Sequence, residues 1–173
     1  NGNISTCSAT VTVEDIIDPT AICQDITVQL DATGNVSITP ADIDNGSFDN
    51  CGIASLSLDI TDFDCPNVGP NTVVLTVTDD NGNVSTCSAT VVVEDVIDPT
   101  AICQDITVQL DGTGNVSITP ADIDNGSFDN CGISSLSLDI TDFDCSNVGP
   151  NAVVLTVTDD NVNVSTCSAT VTV

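Results

Sequence analysis

Hydrophobic residues along this chain come in short runs that alternate one by one with polar residues, the period of a half-buried strand rather than of a helix. Ile26, Val28 and Leu30 alternate with Thr27 and Gln29 before a turn at Ala32-Thr33-Gly34, and Val36 and Ile38 resume beyond it. Leu56, Leu58 and Ile60 alternate with Ser55, Ser57 and Asp59, and Val73, Leu75 and Val77 with Val74 and Thr76. Cys87, Ala89, Val91 and Val93 then share one face, opposite Thr86, Ser88 and Thr90. One apolar face per strand is what two antiparallel sheets need to pack face to face. No helix-period stretch competes: Thr39-Pro40-Ala41-Asp42 can start one short turn, with proline in a first-turn position. The expected fold is all-β, a sandwich of about five to seven strands with an immunoglobulin-like layout.

This pattern is repeated with a period of 80 residues. Residues 14–93 and 94–173 differ at seven positions only: Ile16/Val96, Ala32/Gly112, Ala54/Ser134, Pro66/Ser146, Thr72/Ala152, Gly82/Val162 and Val92/Thr172. Residues 1–13 match 81–93 except at Ile4/Val84 and Thr12/Val92. The expected organisation is therefore the last strand of a preceding repeat (1–13) followed by two sandwich repeats (14–93 and 94–173). Near-identical tandem units make length by reusing one fold and one junction, which suits a stalk or fibre better than an enzyme.

Composition narrows the function. The chain has no Lys, Arg or His against 26 Asp and Glu, a formal charge of −26. Nucleic acid is excluded as a partner, because phosphate is held by Lys and Arg, and an anionic membrane surface is excluded on the same ground. Without His or Lys there is no imidazole base and no Schiff-base nucleophile. Trp, Tyr and Met are also absent and Phe occurs four times, so no aromatic platform for bases or sugars is available. Paired carboxylates could serve a glycosidase, but the same acids recur in each repeat with no aromatic subsite beside them. A hydrophobic content of 40% sets the chain apart from disordered acidic tails. No apolar run approaches a membrane span.

Nine cysteines remain to be placed: Cys7, then Cys23, Cys51, Cys65 and Cys87, and again Cys103, Cys131, Cys145 and Cys167. Zinc is disfavoured, since no C-x-x-C pair and no histidine is present. Dense disulfides imply an oxidising, extracellular setting. A repeat of this size has a thin core and needs staples. The expected pairs are Cys51 with Cys65 and Cys131 with Cys145, closing local loops, and Cys23 with Cys87 and Cys103 with Cys167, tying the ends of each repeat. Loop entropy gives about 3 and about 4 kcal/mol for the two kinds. A link from Cys87 to Cys103 is discounted, because six strand residues of about 3.3 Å each separate Cys87 from the linker. Cys7 has no partner within the segment.

Pro19-Thr20-Ala21-Ile22-Cys23 at the start, and Thr78-Asp79-Asp80-Asn81-Gly82-Asn83 leading into Cys87-Ser88-Ala89-Thr90-Val91 at the end, resemble the hyalin repeat. Residues 99–103 and 158–171 repeat the likeness, with Val162 in place of Gly82. Departures are Gln24 where the family usually has proline, Ala89 where it usually has an aromatic, and the additional Cys51 and Cys65. The resemblance implies a secreted immunoglobulin-type sandwich in an adhesive setting, similar to repeat arrays of long bacterial surface proteins.

The acidic residues cluster at the joins. Glu14, Asp15 and Asp18, and again Glu94, Asp95 and Asp98, form the linkers, while Asp49, Asp79 and Asp80, with Asp129, Asp159 and Asp160, lie in loops expected at the pole where the chain enters each repeat. Oxygen ligands from three segments are a plausible Ca²⁺ site, similar to cadherin junctions. The competing reading is that Asp and Asn build turns in these loops and the charge is simply solvated. The expectation is a non-enzymatic structural segment of a cell-surface filament or adhesin stalk, stiffened by disulfides and calcium. Its partners would be neighbouring repeats and like chains in a fibre. The alternative is a module that binds a protein or glycan through its loops; identical loops at 42–52 and 122–132 favour the scaffold.

Overall fold

The computed structural model describes residues 1–173. The first repeat runs β1 (Ile26–Gln29), β2 (Asn35–Ser37), α1 (Pro40–Ile43), β3 (Ile53–Leu58), β4 (Asp62–Asp64), β5 (Gly69–Asp79) and β6 (Val84–Glu94). The second runs β7 (Ile106–Thr107), β8 (Asn115–Ser117), α2 (Pro120–Ile123), β9 (Ile133–Leu138), β10 (Asp142–Asp144), β11 (Pro150–Asp159) and β12 (Val164–Thr172). In the second repeat a four-stranded sheet in the order β7-β12-β11-β9 accompanies a two-stranded sheet, β10-β8, and the first repeat has the same orders, β1-β6-β5-β3 and β2-β4. The chain is all-β, with immunoglobulin-like β-sandwich repeats in tandem. No helix is long and apolar enough to cross a membrane.

The alternating pattern does the packing. On β11, Val153, Leu155 and Val157 are fully buried, and Ala169 and Val171 of β12 join them. Ile118, Ile123 and Phe143 close the core from the other side, and each such side chain contributes about 1.5–3 kcal/mol by leaving water. Phe143 is the one aromatic in that core. It sits on a strand of three residues, Asp142-Phe143-Asp144, too short for alternation to reveal. Ile43 and Ile123, also fully buried, end the short helices α1 and α2. Asp42 fixes the first of these turns by accepting hydrogen bonds from the N–H and hydroxyl of Thr39, both at 2.7 Å.

Two strand expectations need correcting. The sheets are not wholly antiparallel: β7 pairs parallel with β12, Val171 beside Ile106 and Thr172 beside Thr107. The turn before β8 carries the chain from one sheet to the other, so β8 pairs with β10 and leaves β7 against the last strand. Ile60 and its equivalent Ile140 are about two-fifths exposed, at 41% and 39%. Strands β3 and β9 stop at Leu58 and Leu138, and both isoleucines ride the bend that follows.

Residues 1–19 have no regular secondary structure, and residues 1–14 are exposed. Val11 and Val13 are 83% and 90% exposed, whereas the equivalent Val91 and Val93, in β6, are buried. Nearly the same sequence is a strand in one place and irregular in the other, because a strand needs a neighbour to take its hydrogen bonds.

Cys23 is bonded to Cys87 and Cys103 to Cys167, each pair joining the entry of a repeat to its last strand. The expected pairs Cys51 with Cys65 and Cys131 with Cys145 do not form. Cys65 is instead bonded to Cys131, Cα atoms 5.3 Å apart, leaving Cys7, Cys51 and Cys145 free. The reason is strand length. Ile133 lies beside Asp159 and Leu138 beside Leu155, so β9 runs away from Cys131 while β11 starts at the far end, just after Cys145. Six strand residues span about 20 Å, several times the Cα separation a disulfide allows, about 5.5–6 Å. Two compact units result, one of Asn1–Ile26, Ile38–Thr61 and Asn71–Val91, the other of Thr27–Ser37, Asp62–Pro70 and Val92–Val173. The second unit thus includes the end of the first repeat that carries Cys65.

Backbone strain separates the repeats at one substitution. Gly82 has φ 93° and the equivalent Val162 has φ 76°, the one non-glycine residue in the left-handed region. A β-branched side chain is strained there by about 1–2 kcal/mol. Val162→Gly should therefore raise the stability of the second repeat by about 1 kcal/mol in denaturant titration, and Gly82→Val should lower that of the first by a similar amount.

Candidate cation site at the repeat junction

In the second unit the fold gathers three carboxylates from three segments. Asp95 comes from the linker after β6, Asp129 from the loop before β9, and Asp159 from the end of β11; one oxygen of each lies within 4.8 Å of the others. Asp95 and Asp159 are buried, at 7% and 1% exposure. Part of the bonding is that of ordinary turns. Asp159 Oδ1 accepts the N–H groups of Asn161 and Asn163 at 2.8 Å, and Oδ2 accepts the Asn163 side-chain amide at 2.8 Å. Asp129 Oδ2 accepts the Cys131 N–H at 2.8 Å. Asp95 Oδ1 accepts the Ile97 N–H at 3.1 Å and the Asn130 amide at 3.3 Å.

The remaining oxygens have no such partner. Asp95 Oδ2, Asp129 Oδ1 and Asn130 Oδ1 are buried and accept no hydrogen bond. A buried, unpaired carboxylate oxygen is costly, and no side-chain cation exists in this chain to neutralise it. An all-oxygen donor set with several negative charges fits a hard divalent ion, and carboxylate with amide carbonyl is the donor chemistry of calcium. Asn130 is the residue that a search for acids alone overlooks.

In the first unit the equivalent group is Asp15, Asp49 and the Cys51 thiol, and Asp15 Oδ2 is likewise buried and unpartnered. The Cys51 thiol is pushed up, first by its hydrogen bond with Asp15, then by desolvation and by the charges of Asp15, Asp49 and Asp79. Burial acts most strongly on the Asp79 carboxyl and would raise it. The Asn83 amide and the N–H groups of Asn83, Asn81 and Gly82 together outweigh burial and hold it below the ordinary carboxylate range.

The other acids of the expected set stand apart. Glu14, Asp18 and Asp80, with Glu94, Asp98 and Asp160, are exposed. Asp80 and Asp160 lean over glycines: a Cβ on Gly52 would stand 2.7 Å from Asp80 Oδ2, and one on Gly132 3.1 Å from Asp160 Oδ2. Asp44 and Asp124 accept the N–H groups of Ser47 and Ser127 at 3.0 Å, as turn residues do.

No protein-family profile matches the chain, and no curated protein matches it, so the likeness to hyalin repeats rests on the residues quoted above. Among solved structures the chain is similar to Drosophila N-cadherin EC1-4, at 14% identity over 90% of this chain and 49% of that one, with a TM-score of 0.45. It is similar to protocadherin gamma C5 EC1-3, at 11% identity over 90% of this chain and 68% of that one, with a TM-score of 0.43. It is also similar to the Clostridium thermocellum CbhA fibronectin(III)-like modules, at 12% identity over 90% of each chain, with a TM-score of 0.32. At these identities and scores the likeness assigns the chain to no family.

Proposed function

We propose that this chain is a segment of a secreted, non-enzymatic structural array of hyalin-repeat type, part of a cell-surface filament or adhesin stalk whose joints are clamped by calcium. The observation that carries the reading is the set of buried, unpartnered oxygens on Asp95, Asp129 and Asn130 beside Asp159. They lie where the end of one repeat packs on the start of the next, so a cation there joins the linker to two loops of the following repeat. The near-identity of the repeats and the absence of Lys, Arg and His support a scaffold over a catalyst. Extracellular modules of this kind hold calcium at about 0.1–1 mM, which suits a site loaded outside the cell.

Calorimetric titration of the chain with CaCl₂ tests this. One site with a dissociation constant of about 0.1–1 mM is expected from Asp95, Asp129 and Asp159, with weaker binding at the Asp15 group, whose acids are only half-buried. Asp95→Asn should weaken the stronger site about tenfold or more, a loss of at least about 1.4 kcal/mol. Asp98→Asn should leave it unchanged. Absence of saturable heat in wild type, or equal effects of the two substitutions, would refute the clamp.

A further inference from the structure

An edge strand carries a row of backbone N–H and C=O groups with no partner, and proteins blunt such rows by shortness, charge, proline or a bulge. Three of the four sheet edges of the second repeat are blunted. β7 has two residues and β8 three, and β10 is three residues with an aspartate at each end. The fourth edge, β9, is six residues long, Ile133-Ser134-Ser135-Leu136-Ser137-Leu138, without charge or proline. Its one protection is a bulge at the Ile133 end, where the register shifts opposite Thr158 and Asp159. β11 is the only strand beside it. Helix α2 lies close by, but its backbone bonds go to its own turn and to Gln104.

The direction of the open groups follows from one hydrogen bond. The Asp139 N–H donates to the Val154 carbonyl at 3.2 Å, so Asp139 and, by alternation, Ser137 and Ser135 bond towards β11. The N–H and C=O of Leu136 and Leu138 therefore point outward. The side chains of both leucines pack on the core while only half-buried, and Ser135 and Ser137 are exposed on the outer face. The nearest acid is turned away from this edge, because Asp139 Oδ1 accepts the Val154 N–H at 2.8 Å. The first repeat keeps every one of these features. β3 differs from β9 only by Ala54 for Ser134, and Asp59 accepts the Val74 N–H at 2.8 Å. The edge thus belongs to each repeat, whatever the number of repeats in the chain.

We infer that two copies of this chain associate side by side, β9 of one against β9 of the other, antiparallel about a two-fold axis at Ser137. This register sets Leu136 of each copy opposite Leu138 of the other, so the outward N–H and C=O groups of both meet in four hydrogen bonds. The leucines also cover each other's exposed flank on the inner face, and the Ser137 side chains meet on the outer one. The occupant is a second copy because the strand complements itself and because the charges stay apart. A chain with 26 acids and no Lys, Arg or His repels its own copy wherever carboxylates meet. Here Asp139 falls opposite Ser135, and the two Asp139 residues stand about 13 Å apart along the strands, beyond the screening length of about 8 Å at physiological salt. One strand pair buries well under the roughly 1,200 Å² of a stable complex, so each contact is weak and an array holds by repeating it. The contact stands on the sheet edge and not on calcium.

Covalent trapping tests the register. The full chain carries Cys7→Ser, Cys51→Ser and Cys145→Ser, so that its remaining cysteines are all disulfide-bonded, and then either Ser137→Cys or Ser135→Cys. Position 137 faces its own copy in a non-hydrogen-bonded pair, with Cα atoms about 4.5 Å apart. Position 135 is equally exposed but lies about 13 Å from its copy, beyond the reach of a disulfide. Both variants are oxidised with glutathione disulfide in excess chelator and about 0.15 M salt. Ser137→Cys should give at least tenfold more covalent dimer than Ser135→Cys, and digestion at Asp should yield a peptide joined to its own copy at position 137. Ser57→Cys, the equivalent change in β3, should behave like Ser137→Cys, and retention of the three native disulfides shows that each variant is folded. Equal dimer from positions 137 and 135 would mean chance collision of exposed thiols and overturn the inference. Folded Ser137→Cys and Ser57→Cys chains that stay monomeric would overturn it as well, and would leave the edge to an extended segment of a different protein.

Discussion

Replacing Cys103 and Cys167 together by serine should destabilise the second repeat by about 4 kcal/mol, since the bond closes a loop with a sequence separation of 64. A domain of this size has about 4–12 kcal/mol to lose, so the variant should stand near the edge of unfolding. Its melting temperature should fall by about 20 °C, at about 4–8 °C per kcal/mol for a repeat of this length. The core cannot make up the loss. Its large side chains are Ile, Leu and Val with Phe143 alone for aromatic volume, and Cys103 and Cys167 themselves pack against it. Cys145→Ser, at an exposed free thiol, should shift the melting temperature by no more than a degree or two. Circular dichroism melts without reductant separate the two outcomes, and a shift below about 5 °C for the double variant would contradict the role given to the bond.

Much of the sandwich was readable along the chain because its long strands have strict one-face patterns. Val73, Leu75 and Val77 in β5, and Ala89, Val91 and Val93 in β6, are all buried as alternation requires. The short elements were not readable. Phe63 and Phe143 fill the core from three-residue strands flanked by aspartates, and Ile43 and Ile123 do so from single helical turns. Neither offers enough residues for a period to emerge. The parallel pairing of β7 with β12 is not legible in the pattern, because alternation tells which face is buried and nothing about which neighbour a strand takes.

The cysteines show the same limit more sharply. Sequence proximity favours pairing within a repeat, yet the strand between Cys131 and Cys145 carries the chain away from Cys131. The bond that forms, Cys65 with Cys131, spans 66 positions across the linker and depends on where two repeats meet. No residue pattern inside one repeat reports that. In the acidic set, residue type pointed to the linkers and loops, but which oxygens turn inward is decided by the backbone: Asp95 is buried while its neighbours Glu94 and Asp98 are exposed.

Three carboxylates within 4.8 Å repel by about 3 kcal/mol per pair at an effective dielectric near 20. A cation removes that repulsion and ties the linker to the loops. The Cys65–Cys131 bond holds the same join covalently, so chelation of wild type should leave its extension in solution nearly unchanged. With Cys65→Ser and Cys131→Ser combined, the covalent tie is gone and the join is held by the cation, the linker and the weak Asn130–Asp31 hydrogen bond of 3.3 Å. Small-angle X-ray scattering of that variant, in millimolar calcium and then in excess chelator, therefore reads the hold of the cation on the join. Chelation should shorten the maximum dimension of the variant and broaden its distance distribution, while wild type keeps both. A variant whose scattering is the same with calcium and with chelator would contradict a calcium-stiffened joint.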